Sequence, residues 1–305
     1  MYEVSVSPHI RDEDSVSKIM WAVVIALLPA LAASCYFFGM RALAVSGACV
    51  FFAVLTEFVT RYLRARDNTI ADGSAVITGL LLAFVIPPTI PLWIAGLGSV
   101  LAILLVKELF GGLGMNIFNP ALAARAILLA AFPQQMTNWI NPDGVTTATP
   151  LGMVKENILT GLPAHMDMFL GNISGCIGET SALAIIIGGL YLITKRIIKW
   201  EMPVVFIGSV FVLSALAGRD PLYEILAGGV MLGGFFMITD MVTTPITRKG
   251  GMLFALGCAM ITVAIRKWGG YPEGVCYSIL IMNAFAPLID NLIKPRRLGE
   301  KKKGV

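Results

Sequence analysis

Charge is scarce in this chain. Asp, Glu, Lys and Arg make up 14% of its 305 residues, against about 25% in soluble domains. Hydrophobic residues make up 57%, and the mean hydropathy is +0.80. So little charge cannot clothe a water-facing surface, which excludes the soluble class and points to a membrane protein. Histidine is nearly absent: His9 and His165 stand far apart, which argues against a histidine metal site or a catalytic triad. Cys35, Cys49, Cys176, Cys258 and Cys276 form no CxxC or other ligand-like spacing, so neither an iron–sulfur nor a zinc site is expected, and the metal expectation is none. Four of the five read as small apolar helix residues; Cys176 falls in an expected loop and reads as exposed. A net charge of +4 gives no reason to expect a nucleic-acid partner. The first eighteen residues are polar and mixed in charge. The apolar stretch after them is too long for a signal-peptide core, so no cleavable leader is expected.

What is present is a series of apolar runs. A bilayer core needs about 20 apolar residues per helix. Ile19–Met40 and Ala42–Thr60 read as the first two spans. Gly73 to Val106 is 34 residues without a charge, too long for one helix. Pro87-Pro88-Thr89-Ile90-Pro91 divides it into two short spans, because proline ends helices. Gly111–Phe132, carrying Arg125, is the fifth. A polar loop follows, about 133–180, and then Ser181–Thr194, Met202–Gly218, Leu222–Thr239, Gly251–Ile265 and Val275–Leu288. With the N-terminus in the cytoplasm, 17 Lys and Arg fall on the cytoplasmic side and 5 on the outer side, Arg125 being intramembrane. By the positive-inside rule, both ends, including a basic tail at 291–305, are cytoplasmic and the 133–180 loop is outside.

An internal repeat accompanies this plan. Asn116-Ile117-Phe118-Asn119-Pro120 and Asn283-Ala284-Phe285-Ala286-Pro287 are both Asn-x-Phe-x-Pro in the fifth apolar segment of a half. Each half also has an earlier proline-interrupted stretch, Pro87–Pro91 and Thr243-Thr244-Pro245. Five spans per half is odd, so the halves, about 19–132 and 181–290, are expected to be inverted. Such proteins bind ligands at broken helices on the repeat interface. The plainer reading is that Pro and Gly only kink helices. The expected fold is an all-α polytopic membrane protein of about ten helices in a single domain.

The loop contains Asp143-Gly144-Val145-Thr146-Thr147-Ala148-Thr149-Pro150-Leu151. Read alone it is a small-residue, hydroxyl-rich turn able to enter a modifying enzyme in extended form. Pro150 biases Thr149 away from helical geometry and keeps its hydroxyl presented. The stretch resembles the Asp-x-x-(Ser/Thr)-Gly-Ala-Thr flavinylation motif of the NqrB/RnfD family. Asp143, Thr146, Ala148 and Thr149 match it, and Thr147 stands where the motif has glycine. Gly114 to Ala121, Gly175 to Ser181 and Asp240 to Pro245 are similar to the same family, so the resemblance spans nearly the whole chain. Its length resembles the shorter, RnfD-type members of the Rnf complex.

The resemblance implies FMN joined to Thr149 through a phosphoester, installed from FAD by a flavin transferase. It implies a bacterial inner-membrane subunit of a complex that passes electrons between ferredoxin and NAD and moves Na⁺ or H⁺. The other subunits and the lipid bilayer would be its partners, and the fold would be related to NqrB and similar to urea channels. Candidate flavin or phosphate contacts are Arg125, Asn116, Asn119, Trp139 and Glu179. Asn116 and Asn119 with Asn283 are the candidates for a second, non-covalent flavin such as riboflavin. Arg125 reads equally as an ion pair to Glu57 or Glu108, since an intramembrane charge is either functional or paired. Glu179 reads as a helix N-terminal cap, Asp72 and Asp240 as interfacial caps, and Lys107-Glu108 and Arg266-Lys267 as interfacial anchors. Two other function classes stay open: a channel or secondary transporter, and a scaffold subunit without a cofactor.

Overall fold

The computed structural model describes residues 15–65, 69–156, 158 and 161–294. His9, Arg11, Arg66 and the tail from 295 lie outside these residues. The chain is all-helical: no strand forms among the described residues, and the only ladder contact is an isolated bridge between Ile140 and Thr146.

Helices α1 (Val16–Phe38) and α2 (Met40–Leu63) are joined at Gly39, whose φ of +64° reverses the chain in one residue. Ser15 caps α1 by accepting from the Lys18 amide, as a serine N-cap does. A short turn, Ile70–Asp72, leads into α3 (Ser74–Phe84), with Asp72 Oδ1 accepting from both the amide and the hydroxyl of Ser74. After the proline turn comes α4 (Leu92–Leu101), which runs on as a π-helix over Ala102–Glu108. The remaining first-half helix is α5 (Pro120–Ala131). Three short helices lie in the long loop: α6 (Pro133–Met136), α7 (Pro150–Lys155) and α8 (His165–Leu170). The second half holds α9 (Ala182–Thr194), α10 (Glu201–Leu216), α11 (Pro221–Leu226), α12 (Val230–Leu232) with a π-helical continuation at Gly233–Met237, α13 (Arg248–Trp268) and α14 (Val275–Leu292).

Each of the ten apolar segments therefore carries helix. Four helices, α1, α2, α13 and α14, are long and apolar enough to cross a bilayer unbroken. The other segments are short or interrupted. Gly111–Asn119 is not helical, so the fifth segment begins its helix only at Pro120. The eighth is cut at Ala227–Gly229. The two Asn-x-Phe-x-Pro motifs take different forms: Asn119 caps α5, with Pro120 at its first turn, whereas Pro287 lies inside α14.

Packing joins the halves twice, through α1 against α9 and α5 against α14, while α2 holds α3 and α4 and α13 holds α10 and α14. One apolar core runs through both halves. Loop contacts sort into two ends. At one, Arg41 donates to the carbonyls of Pro88 (3.3 Å) and Ile90 (2.8 Å), Thr89 to that of Asn138 (2.6 Å), and Lys267 to that of Ala217 (3.0 Å). This end carries Thr149. At the far end Ser17 donates to Ala71 (3.2 Å) and Arg64 to the Glu108 carbonyl (2.6 Å).

Broken helices leave backbone groups without partners, and no water replaces them in a bilayer. The carbonyls freed where α3 ends are met by the loop before α9: the Gly178 amide donates to Phe84 (3.0 Å) and the Ile177 amide to Ile86 (3.1 Å). Ser34 Oγ in turn donates to the Ile177 carbonyl (2.6 Å). This approach needs a glycine, because a Cβ on Gly178 would stand 2.2 Å from Phe84 Cγ. Gly178→Ala is expected to cost about 1–3 kcal/mol by overpacking. Gly208→Ala, with nothing within 4 Å of its Cβ, is expected to cost nothing. Thermal unfolding of the two variants in detergent checks this; equal midpoints would refute the inserted-loop account.

Candidate functional site

The motif forms a compact turn. The Asn141 amide donates to Val145 (2.9 Å), Gly144 to Asn141 (2.9 Å) and Thr147 to Trp139 (3.1 Å). Gly144, at φ +80°, sits at the tip beside exposed Asp143, Thr146 being exposed as well. Thr147, in the glycine position of the motif, has no positive φ, and its hydroxyl donates to Asn141 Oδ1 (3.0 Å). A side chain is thus accommodated there. The chain then extends through Ala148, whose carbonyl accepts from Ser174 Oγ (2.7 Å).

Thr149 has φ −67° and ψ 155°, the extended geometry that Pro150 imposes. Half-buried, it begins α7 by accepting from the Gly152 amide (3.1 Å). Among the described residues its hydroxyl donates to nothing. Lys155, at the end of α7, donates to the carbonyls of Gly269 and Tyr271 and ties the motif to the loop before α14. Burial first, and then the Arg219 cation, lower the Lys155 ammonium below the usual lysine value.

Thr149 lies at the edge of a cleft with about 860 Å³ of free space. Leu129, Met136, Leu151 and Ile173 give it apolar walls, Trp139, Tyr271 and Tyr277 aromatic ones, and Arg125, Glu179 and Glu273 charge. The Tyr271 and Tyr277 rings are 5.3 Å apart between centroids. A concave, mostly apolar lining with a few convergent polar groups is the usual character of a ligand site.

Arg125 reaches the cleft from the middle of α5. Its Nη2 is bonded to Glu273 Oε2, its Nη1 stands 3.6 Å from Glu179 Oε1, and Cys176 Sγ is 3.6 Å from Nη2. Neither Glu57 nor Glu108 is its partner. Glu57 is paired with Lys107 (2.8 Å) and Glu108 with Arg61 (3.2 Å) at the far end. The Glu179 expectation is also corrected: Ser181 caps α9 by accepting from the Ala184 amide, and Glu179 faces Arg125. Cys176 is buried, not exposed. Lys107, Glu108 and Arg266 are buried in ion pairs, not interfacial anchors, Arg266 meeting Glu224 at 2.8 Å. Lys267 lies over the exposed Trp268 ring at 5.3 Å.

Asn116 and Asn119 line a second cleft, also with about 860 Å³ of free space, together with Ser74, Lys107, Phe236 and Asp240. Helix α5 separates the two clefts: Pro120 and Ala121 face this one, Arg125 and Leu129 the first. Asn119 Oδ1 accepts from the amides of Ala121 and Leu122 (3.1 and 3.2 Å). With the Asn283 amide set to satisfy its neighbours, its oxygen accepts from the Asn119 amide (3.0 Å) and its nitrogen donates to the Thr243 carbonyl (3.2 Å). The repeat asparagines thus meet directly. Asp240 caps its own loop, accepting from the Val242 amide and the Thr243 hydroxyl, as expected of it. Sequence reasoning passed over Glu273, Tyr271 and Tyr277. The available signal was Tyr271-Pro272-Glu273-Gly274, a carboxylate in a turn just before an apolar segment.

The model of the NQR2, RnfD, RnfE family matches residues 3–299. The chain is 50% identical over 304 residues to the D subunit of the Na(+)-translocating ferredoxin:NAD(+) oxidoreductase complex of Acetobacterium woodii, covering 98% of this chain and 96% of that one. It is 46% identical over 322 residues to the D subunit of the proton-translocating ferredoxin:NAD(+) oxidoreductase complex of Clostridium ljungdahlii, covering 99% and 97%. To the D subunit of the ion-translocating oxidoreductase complex of Stutzerimonas stutzeri it is 40% identical, covering 95% and 94%.

Removing one partner of a buried ion pair costs about 3–5 kcal/mol, because a charge is left unpaired. Arg125→Gln is expected to destabilise the protein by that amount. Adding Glu273→Gln to it is expected to restore part of the loss, since the two side chains are directly coupled. Unfolding midpoints of the singles and the double give the coupling; simple additivity would break the assignment of Glu273 as the partner.

Proposed function

The chain belongs to the NQR2, RnfD, RnfE family, and on that premise we propose that it is the D-type membrane subunit of an ion-translocating ferredoxin:NAD⁺ oxidoreductase complex, carrying FMN esterified to Thr149. The observation that supports the cofactor most directly is the Thr149 hydroxyl: half-buried, donating to nothing among the described residues, and lining a cleft with aromatic walls. The residues present fit the group. When bound, FMN supplies the capacity to accept and pass on single electrons, chemistry no side chain here offers.

The protein's part is position and electrostatics. Thr149 tethers the ligand, so occupancy does not depend on affinity. Trp139, Tyr271 and Tyr277 give flat surfaces for a ring system, and Leu129, Met136, Leu151 and Ile173 keep water from it. Arg125 sets a fixed positive charge in the cleft wall. Asp143 and Thr146 lie exposed at the turn, where a flavin transferase would engage them. In this reading the Thr149 end faces outward and the far end the cytoplasm of a bacterial inner membrane. The other subunits of the complex are its partners. The Asn116, Asn119 and Asp240 cleft is the place for a second, non-covalent flavin. The A. woodii and C. ljungdahlii relatives name different ions at 50% and 46% identity, so overall likeness does not select the ion.

Co-expression with an active flavin transferase, denaturing electrophoresis and in-gel fluorescence test the tether. Wild type and Thr149→Ser are expected to fluoresce and Thr149→Ala to be dark. A dark wild-type band beside a fluorescent control substrate would end the covalent reading and reopen a channel or scaffold role. Natively purified Thr149→Ala is expected to release flavin on denaturation, and Asn116→Leu combined with it to release none. Equal release from both would remove the second site from the Asn116 cleft.

A further inference from the structure

In the wall of the Thr149 cleft two carboxylates share one guanidinium, and they are not served equally. Glu273 Oε2 takes the direct bond from Arg125, and its Oε1 accepts from the Gly229 amide (2.7 Å). Glu179 stands 3.6 Å from Arg125 at 6% exposure, and its Oε1 has no hydrogen-bond partner among the described residues. Both Oε1 atoms crowd the same point: a Cβ on Gly229 would meet that of Glu273 at 2.6 Å and that of Glu179 at 2.9 Å. Arg125 bonds only one of the two carboxylates directly, and a buried carboxylate left without a direct cation bond gains by binding a proton.

Among the described residues no second cation bonds Glu179 itself. From the loop before α9 comes Cys176, from α14 Cys276, and from α13 Arg266, which acts on Glu273 and shares Glu224 (2.8 Å) with Arg219 (2.9 Å). Among the described residues no three His, Cys, Asp or Glu gather closely enough to hold a metal ion, which favours a proton over a metal as the missing charge.

We propose that Glu179 is an exchangeable proton site of the Thr149 cleft, neutral while Glu273 alone neutralises Arg125. Its further consequence rests on the flavin reading given above. An electron delivered to the cleft by a one-electron carrier adds one negative charge, which strengthens the hold of Glu179 on its proton. By reciprocity, loss of that proton at high pH weakens electron binding in the cleft.

The first test needs no flavin. Infrared spectra of the full chain, expressed without the transferase and purified in detergent at neutral pH, are compared with those of Glu179→Gln and Glu273→Gln. The wild type is expected to show a protonated-carboxyl band that disappears in Glu179→Gln. It is expected to disappear also in Glu273→Gln, where Glu179 becomes the only counter-ion of Arg125 and ionises. Equal bands in wild type and Glu179→Gln would overturn the proposal, and so would a band that survives Glu273→Gln; if one variant does not fold, the other still decides. In the flavin-loaded chain the midpoint potential is expected to fall with pH more steeply on the alkaline side in wild type than in Glu179→Gln, which keeps only the flavin's own proton uptake. A dark Thr149 band removes the flavin reading and leaves the infrared result standing; a missing carboxyl band removes the proton site and leaves the tether.

Discussion

A peptide N–H or C=O without a partner costs several kcal/mol in hydrocarbon, and this protein interrupts its helices repeatedly at points where that cost applies. The interruption after α3 is closed by the amides of Ile177 and Gly178. The one between α11 and α12 is closed by Arg266, which donates to the carbonyls of Glu224 and Ala227 (the latter at 3.1 Å), and by Glu273, which accepts from the Gly229 amide. The late start of α5 is closed by the side chain of Asn119 and by Asn283. Each repair draws a polar group from a distant part of the chain, and the two clefts lie where those repairs are made.

The charges follow from the same constraint. Arg266 and Glu273 are buried because they finish broken helices, and once buried they need counter-charges. Glu224 serves Arg266, and Arg125 serves Glu273. The intramembrane arginine is thus part of the scaffold and of the cleft wall at once, and the two readings weighed for it from sequence are not exclusive. Glu179 is the member left over, and a leftover carboxylate beside a ligand cleft is where charge and protonation are coupled most simply. At the far end Lys107 and Glu108 occupy the π-helical continuation of α4 and are buried against Glu57 and Arg61. Widened turns of this kind are frequent at functional sites.

What sequence made legible was local. The apolar runs, the proline turn at 87–91 and the extended Thr149 before Pro150 depend on near neighbours, and they appear as read. What it hid was long-range. Arg125 meets Glu273 across 148 residues, a pairing no spacing rule encodes, so the acidic residues of nearby apolar segments were the natural but wrong partners. Lys107-Glu108 looked like an anchor because an oppositely charged pair at the end of an apolar run is usually wet. Only the π-helical turn, invisible in composition, folds it inward. The cap of α9 is legible in sequence as well: Ser181, a stronger N-cap type than Glu179, stands two residues on. Asn116 and Asn119, read from sequence as candidates for a second pocket, line a cleft separate from that of Trp139 and Glu179, with α5 between the two.

The proposal of Thr149 as the tether rests on hydrogen-bond accounting at one oxygen. A threonine hydroxyl offers one donor and two acceptor positions. Here a single acceptor position is used, for the Gly152 amide, and the donor is idle. Esterification removes only the donor and leaves an oxygen still able to accept from Gly152, so the start of α7 need not be rebuilt. The hydroxyl of Thr147 is different: it already donates to Asn141 and helps close the turn, so attaching a phosphate there would break an existing bond. Of these two, the proposed tether is the one whose loss of a proton breaks no hydrogen bond among the described residues. That selection is made by the turn and by Pro150, not by exposure, since Thr146 is the more exposed hydroxyl of the motif and yet stands farther along the chain from the cleft-lining residues Thr149, Pro150 and Leu151.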